Sequence, residues 1–208
     1  RGARNDDDYE RLLPYLEEVL KLCREVAFAK SEALGLSPYD ALLDQYEPGA
    51  KSKNIDFIFS EHANFLPNFL QEVMEYQRTL PDLVIPKGPF KIESQMGLGK
   101  KFMAAIGFDF DRGRLDVSHH PFCGGGSEDI RITTRYDIDD FSSSLMGIMH
   151  ETGHAMYEMG LPKAWRYQPV GAPLGMAIHE SQSLLIEMQV CRSRSFLNYA
   201  GPLMQEFF

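Results

Sequence analysis

The chain has 208 residues, enough for one domain with a sizeable core, because domains cluster at about 100 to 150 residues and commonly reach about 250. Its 44% hydrophobic and 25% charged residues are typical of a globular protein and exclude the disordered and fibrous classes. A net charge of −9 argues against nucleic acid or an anionic membrane surface as a partner, since both attract positively charged proteins. We therefore expect a single domain over residues 1–208 that binds neither nucleic acid nor membrane.

Cysteine usage indicates the compartment. Cys23, Cys123 and Cys191 are scattered and odd in number, which argues against a disulfide framework and fits a reducing environment. No run of about 18 apolar residues predicts a transmembrane span, and the opening stretch RGARNDDDYE lacks the apolar core of a signal peptide. The sequence therefore predicts a cytoplasmic protein.

The first part of the chain predicts three helices. Apolar residues recur at helical spacing from Asp8 to Leu34, and Gly35 follows as a C-terminal stop. A short helix begins near Ser37, which suits the N-cap position. A second long helix is expected from about Asn54 to Leu80.

Residues 93–106 also predict a helix, and the pattern then changes. Alternating and β-branched residues between 108 and 137 predict one or two short strands, of which DIRITTRY at 129–136 is the clearest. The glycine triplet Gly124–Gly126 lacks the lysine and the following helix of a phosphate-binding loop, so we interpret it as a flexible lid or turn.

Three more helices complete the prediction. One runs from Ile138 to Met159, followed by Gly160, and another runs from Met176 to about Arg192. The last begins near Ser195 and is expected to break at Gly201-Pro202, because proline disfavours a helix interior. The predicted fold class is therefore mainly α with a small β-sheet.

The segment GIMHETGHAMYEMG, residues 147–160, places two histidines and a glutamate in an apolar setting. On a helix, His150 and His154 lie about 40° apart around the axis and roughly 6 Å along it, so both imidazoles can bind one metal ion. Apolar neighbours imply a buried helix, in which three polar side chains cost several kcal/mol unless they are paired or coordinated. The alternative is that both histidines are core residues satisfied by hydrogen bonds, with Glu151 at a surface edge.

A zinc hydrolase usually has three protein ligands, so a third ligand must come from another part of the chain. The metzincin pattern is excluded, because Tyr157 stands at its glycine position and Gly160 at its last histidine position. The other common solution is a glutamate on a following helix.

The segment IHESQSLLIE offers two such glutamates, Glu180 and Glu187. Glu180 is preferred because it has polar neighbours in an otherwise apolar helix, which suits a metal ligand supported by hydrogen bonds. Glu158 lies on the histidine face about 6 Å beyond His154 along the helix, so we expect it outside direct contact with the ion.

Four motifs occur in order along the chain: HPF at 120–122, DIRIT at 129–133, HETGH at 150–154 and HESQ at 179–182. In these motifs the chain resembles the thermostable metallocarboxypeptidase (carboxypeptidase Taq) family of gluzincin zinc peptidases. The resemblance implies a mainly α, helical gluzincin metallopeptidase-like body with two lobes, a deep groove and a small β-sheet next to the active-site cleft. It also implies a homodimer in the full-length protein.

Carried over residue by residue, the resemblance implies that His150, His154 and Glu180 bind one divalent metal ion and that Glu151 is the general base. Zinc is the expected ion, although such ligands also accept cobalt or manganese. The implied activity is hydrolysis of the C-terminal bonds of peptide substrates by a metal-activated water.

Two other stretches are implied to shape the cleft. His120-Pro121-Phe122 and the stretch from Asp129 to Thr133 are expected to line it, so His120 and Arg131 are candidate substrate-binding residues. A carboxypeptidase also needs a cation for the terminal carboxylate of its substrate, ideally an arginine. The resemblance places that anchor in motifs that this chain lacks.

The absent motifs are Ile-Arg-x-x-Ala-Asp and Gly-x-x-Gln-Asp-x-His-Trp, which follow the four shared ones in longer family members. We therefore expect residues 1–208 to be an internal fragment, a partial catalytic domain without the N-terminal and C-terminal parts of the family. Such a fragment can bind metal and still be inactive.

Two other functions stay open. One is a gluzincin endopeptidase. A gluzincin aminopeptidase is disfavoured, because it would require a Gly-x-Met-Glu-Asn-type site for the substrate amine, and this motif is missing from the sequence. The other is a catalytically incompetent helical fragment that serves as a scaffold.

Overall fold

The computed structural model describes residues 2–208, which divide into two compact units, one ending at Pro81 and the other formed by Asp82–Phe208. Whether both units belong to one domain stays a prediction. Within the described residues, no helix combines the length and apolar character needed to cross a bilayer.

The first unit is built from helices only. They are α1 (Gly2–Asn5), α2 (Tyr9–Leu34), α3 (Pro38–Leu43) and α4 (Ser52–Gln77). The Asp8 side chain caps α2 by accepting a hydrogen bond of 3.0 Å from the backbone N–H of Arg11, and Gly35 ends the helix with φ 65°. The three predicted helices are thus confirmed, with boundaries shifted by a few residues at most.

The second unit combines helices with a small sheet. Its helices are α5 (Ile92–Ala105), α6 (Phe141–Gly160), α7 (Met176–Leu184) and α8 (Arg194–Phe207). Its strands are β1 (Gly113–Val117), β2 (Phe122–Gly126) and β3 (Asp129–Thr134). The mainly α prediction with a small sheet is confirmed.

The sheet has the order β1-β3-β2, with β1 parallel and β2 antiparallel to β3. It contains three strands where one or two were expected, and the prediction of a lid or turn at Gly124–Gly126 was wrong because these residues belong to β2. A side chain at Gly125, where φ is +101°, would collide with the backbone oxygen of Asp129. Glycine therefore allows the tight β2–β3 connection.

Helix α6 lies between the other elements of this unit. On one side Leu145 and Met149 join a buried cluster with Leu98 and Phe102 of α5 and with α8. On the other side Ile148 packs with residues of β3 in a second cluster. The sequence prediction of a buried helix is therefore confirmed, and its polar residues are held in fixed positions by packing on both sides.

Two helix predictions were wrong in detail. The helix after Met176 does not continue in α form to Arg192: Leu185–Val190 is π-helical, with the Cys191 N–H donating to the carbonyl of Ile186 at 2.9 Å. In addition, α8 is not broken at Pro202. Its residues on both sides of the proline pack against the α5–α6 cluster, and this burial outweighs the local preference.

Candidate metal centre

The histidines and Glu151 are held on one stretch of α6. Asp140 caps this helix by accepting hydrogen bonds from the backbone N–H groups of Ser142 and Ser143 at 2.9 and 3.2 Å. From this start, helical spacing brings His150 and His154 to one face, with their ring centroids 5.0 Å apart.

Gly153 lets helix α7 approach this face closely. A Cβ atom at Gly153 would lie 2.5 Å from the carbonyl oxygen of Gln182 and 2.5 Å from the Cα of Ser183. Both contacts are with backbone atoms, so no change of side-chain rotamer would relieve them. The absence of a side chain at Gly153 therefore determines how near Glu180 comes to the two histidines.

The three predicted ligands converge. One oxygen of Glu180 lies 3.8 Å from His150 Nε2 and the other lies 3.4 Å from His154 Nε2. One ligand atom from each residue can be chosen so that all three lie within 4.8 Å of one another. Donor atoms bound about 2.1 Å from a tetrahedral zinc lie roughly 3.4 Å apart, so the arrangement fits a single ion.

The other nitrogen of His150 has its own partner. His150 Nδ1 lies 3.0 Å from a carboxylate oxygen of Glu187, whose second oxygen accepts a hydrogen bond of 3.0 Å from Arg192. A carboxylate that accepts the Nδ1 proton leaves the Nε2 lone pair directed at the ion position. Glu187, the alternative ligand in the sequence analysis, thus lies behind His150 in the structure.

The second histidine is also held through Nδ1. His154 Nδ1 lies 2.6 Å from Nδ1 of His179, and His179 Nε2 lies 2.9 Å from the Glu158 carboxylate. Burial, followed by the charges of His179 and His150, lowers the pKa of His154. His154 is therefore neutral at neutral pH, as a metal ligand must be.

Glu151 is buried beside the cluster rather than at a surface edge. Its exposure is 7%, which removes one feature of the alternative in which the histidines are ordinary core residues. Burial raises the pKa of Glu151, the carboxylate of Glu180 adds to this rise, and His150 opposes it. A raised pKa makes the carboxylate a stronger base.

The raised pKa predicts a measurable effect on stability. Because the folded-state pKa of Glu151 lies above its unfolded value, the metal-free fold loses stability as the pH rises from the unfolded pKa, and the loss is complete above the folded pKa. Glu151→Gln should therefore raise the Tm of metal-free protein at neutral pH, and the gain should disappear below the ordinary glutamate pKa of 4.5. Thermal melts across this pH range check it, with the exposed Glu72→Gln as control; a pH-independent gain would contradict it.

Strand β2 approaches the same region through Cys123. Burial, and secondarily the carboxylates of Glu151 and Glu158, raise the pKa of the Cys123 thiol to about 12. The thiol is thus protonated at neutral pH in the metal-free protein.

The two candidate substrate residues have hydrogen-bond partners of their own. His120 is exposed, and its backbone carbonyl accepts a hydrogen bond of 3.1 Å from the Thr133 hydroxyl. Arg131 donates to Asp129 at 2.7 Å. Since side chains alternate along a strand, Arg131 points away from the sheet face on which its neighbours Ile130 and Ile132 are buried. A role of His120 and Arg131 in substrate binding stays a prediction.

Sequence reasoning missed the role of Gly153. A glycine inside a buried helical pattern was the available signal, because such a glycine often marks a close approach of another segment. The other supporting residues were partly foreseen, since Glu158 and Glu187 were considered and His179 belongs to the HESQ motif at 179–182.

A His-Glu-x-x-His segment on a buried helix, a glutamate on a following helix and a small sheet beside them together define a helical metallopeptidase-like fold. The model of the carboxypeptidase Taq (M32) metallopeptidase family matches residues 1–208. The chain belongs to this family, and the resemblance seen in its four motifs is confirmed.

Individual relatives agree with this assignment. The chain is 39% identical over 214 residues to Thermostable carboxypeptidase 1 of Thermus thermophilus, a match covering 99% of this chain and 42% of the relative. It is 35% identical over 195 residues to Carboxypeptidase 1 of Bacillus subtilis, covering 93% and 38%. It is also similar to the solved structure of Trypanosoma cruzi metallocarboxypeptidase 1, with TM-score 0.86, 45% identity and coverage of 94% and 41%. The chain thus spans about two fifths of the length of these relatives.

Proposed function

We propose that the whole protein to which these residues belong is a metal-dependent carboxypeptidase that hydrolyses the C-terminal bonds of peptides. The observation that carries the proposal is the convergence of the Nε2 atoms of His150 and His154 with the Glu180 carboxylate, beside buried Glu151. Membership of the carboxypeptidase Taq family adds to it.

The proposed roles follow from the chemistry of each group. His150, His154 and Glu180 would hold a divalent ion, which supplies polarisation of the scissile carbonyl and acidification of the attacking water. Glu151 would take a proton from the attacking water and return it to the departing amine, as its raised basicity favours. Glu187 and Arg192 hold His150 in place.

The proposal also covers the metal ion, the substrates, the assembly and the location of the whole protein. Zinc is the proposed ion because two imidazoles and one carboxylate with an open position suit catalytic zinc, with cobalt or manganese as alternatives. Peptides are the proposed substrates, with His120 and Arg131 among the groups that contact them. We also propose a homodimer as the assembly of the whole protein and the cytoplasm as its location, in keeping with three free cysteines.

A pair of peptides tests the proposed activity. The protein, assayed as residues 1–208 and within the longer chain that contains them, is given an N-blocked peptide and the same peptide with an amidated C-terminus. We expect the longer chain to release single C-terminal residues from the free acid and nothing from the amide. Equal cleavage of both peptides would indicate an endopeptidase, and cleavage of neither would contradict the proposal.

Metal analysis separates a formed metal centre from a scaffold. We expect one equivalent of divalent ion in the purified chain and its loss in Glu180→Ala, because that change removes one of three ligands. The exposed Glu72→Ala serves as the matched control and should keep its metal. A folded chain that takes up no ion would overturn the metal centre.

A further inference from the structure

Glu158, His179 and His154 form a continuous chain of contacts that ends at the candidate metal centre. The Glu158 carboxylate lies 2.9 Å from His179 Nε2, and His179 Nδ1 lies 2.6 Å from His154 Nδ1. His154 Nε2, the opposite nitrogen, lies 3.4 Å from Glu180. His179 therefore uses both of its nitrogens and stands between an acid and a ligand.

When Glu158 is ionised and the His179 ring is neutral, one arrangement of protons satisfies both of these contacts. A carboxylate accepts hydrogen bonds and cannot donate them, so His179 must carry its proton on Nε2. In a neutral ring this leaves the Nδ1 of His179 as an acceptor, and His154 must donate to it from Nδ1. His154 Nε2 then has a free lone pair that faces the ion position.

We propose that His179, held by Glu158, fixes His154 as the tautomer protonated on Nδ1 and so makes it a competent metal ligand. His179 is in this sense a positioning residue of the centre, not one of its ligands. The proposal depends on the metal centre proposed above. It assigns separate roles to the neighbours His179 and Glu180, of which only the second contacts the ion.

The surroundings of His179 hold it in this orientation. Its side chain is 14% exposed and that of Glu158 is 23% exposed, so water competes weakly for their hydrogen bond. The Tyr157 ring packs edge-on against His179 with centroids 5.1 Å apart. Its hydroxyl also accepts a hydrogen bond of 3.2 Å from the backbone N–H of Leu174, which anchors the loop before α7.

The other histidine shows why this intermediate ring is needed. His150 reaches the Glu187 carboxylate directly at 3.0 Å. Glu158, in contrast, stands one turn after His154 on the same helix, and its carboxylate reaches His154 only through the ring of His179. The same tautomer is thus expected at both ligands. The carboxylate partner of His150 contacts it directly, whereas the carboxylate partner of His154 contacts it through the ring of His179.

The tautomer can be read in metal-free protein by nitrogen-15 NMR of labelled histidine, with resonances assigned by comparing histidine variants. We expect His154 to carry its proton on Nδ1 and His179 on Nε2. In Glu158→Leu, which removes the acceptor, we expect mixed tautomers at both rings. A proton on Nε2 of His154 in the unaltered protein would overturn the proposal, whether or not metal binds.

Metal affinity gives the second readout. His179→Phe keeps a planar ring but removes both nitrogens, and we expect the Kd for zinc to rise by about 10- to 100-fold, the range typical of such supporting groups. His179→Gln keeps an acceptor for His154 and a donor for Glu158, so it should recover most of the affinity. His62→Ala, at an exposed histidine of α4, should bind as the unaltered protein does.

The outcomes separate this proposal from the one on which it rests. If the unaltered chain binds no zinc, the proposed metal centre is wrong, and the proposed role of His179 in supporting a metal ligand is wrong with it. If the unaltered chain binds zinc, and if the His179→Phe variant is folded by circular dichroism and binds zinc equally well, only the proposed role of His179 is overturned. If His179→Phe does not fold, Glu158→Leu and His179→Gln decide, since equal affinity in Glu158→Leu would also overturn it.

Discussion

Glu151→Gln is expected to lower kcat of the longer chain by about 10²- to 10⁴-fold while the metal stays bound, because an amide cannot take the proton of the attacking water. Glu151 is not one of the three converging ligands, so its loss leaves their geometry intact. The measurement is hydrolysis of the N-blocked peptide together with metal content for each variant. The loss should appear mainly in kcat rather than KM, since proton transfer occurs in the transition state.

The matched control is Glu72→Gln, the same chemical change at an exposed position on α4. It should leave both kcat and metal content unchanged. Full activity in metal-loaded Glu151→Gln would contradict the role of general base. Loss of metal in that variant would instead make Glu151 part of the binding site.

The expected effects of Glu151→Gln on activity and on stability have the same physical cause. Burial raises the pKa of Glu151. The raised pKa makes Glu151 a stronger base, and it means that the ionised side chain destabilises the metal-free fold. Glu151→Gln should therefore be both less active and, without metal, more stable at neutral pH. This opposition between stability and activity is expected where a side chain is placed for chemistry rather than for folding.

The ligand-bearing helix could be predicted because its signals are local. The apolar pattern, the glycine at its end and the His-Glu-x-x-His spacing all occur within about six turns of chain. The choice of Glu180 over Glu187 depended on polar neighbours alone. It agrees with the geometry, in which Glu180 lies near Nε2 of both histidines and Glu187 lies at Nδ1 of His150.

The features that failed to emerge from the sequence depend on distant parts of the chain. The π-helical segment Leu185–Val190 carries Glu187 to His150, a contact between residues 37 positions apart. The glycines of β2 become a strand only through pairing with β3. Pro202 stays within a helix because α8 is packed against α5 and α6. No local pattern encodes these contacts.

Gly153→Ala is expected to disrupt the metal centre without touching a ligand. The added Cβ would press on the backbone of α7 at Gln182 and Ser183, so α7 must move away and carry Glu180 with it. Overpacking of this kind costs about 1–3 kcal/mol. At about 2–4 °C for each kcal/mol in a chain of this size, Tm should fall by roughly 2 to 12 °C. Zinc affinity should fall at least about tenfold, as for a lost supporting group.

Gly160→Ala provides the control on the same helix, because a Cβ there meets nothing within 4 Å. Alanine favours a helix over glycine by about 0.5–1 kcal/mol, so its Tm should stay constant or rise slightly and its zinc affinity should not change. Melting curves and zinc titrations on both variants make the comparison. If Gly153→Ala binds zinc as tightly as Gly160→Ala, the close approach of α7 at Gly153 is not what positions Glu180.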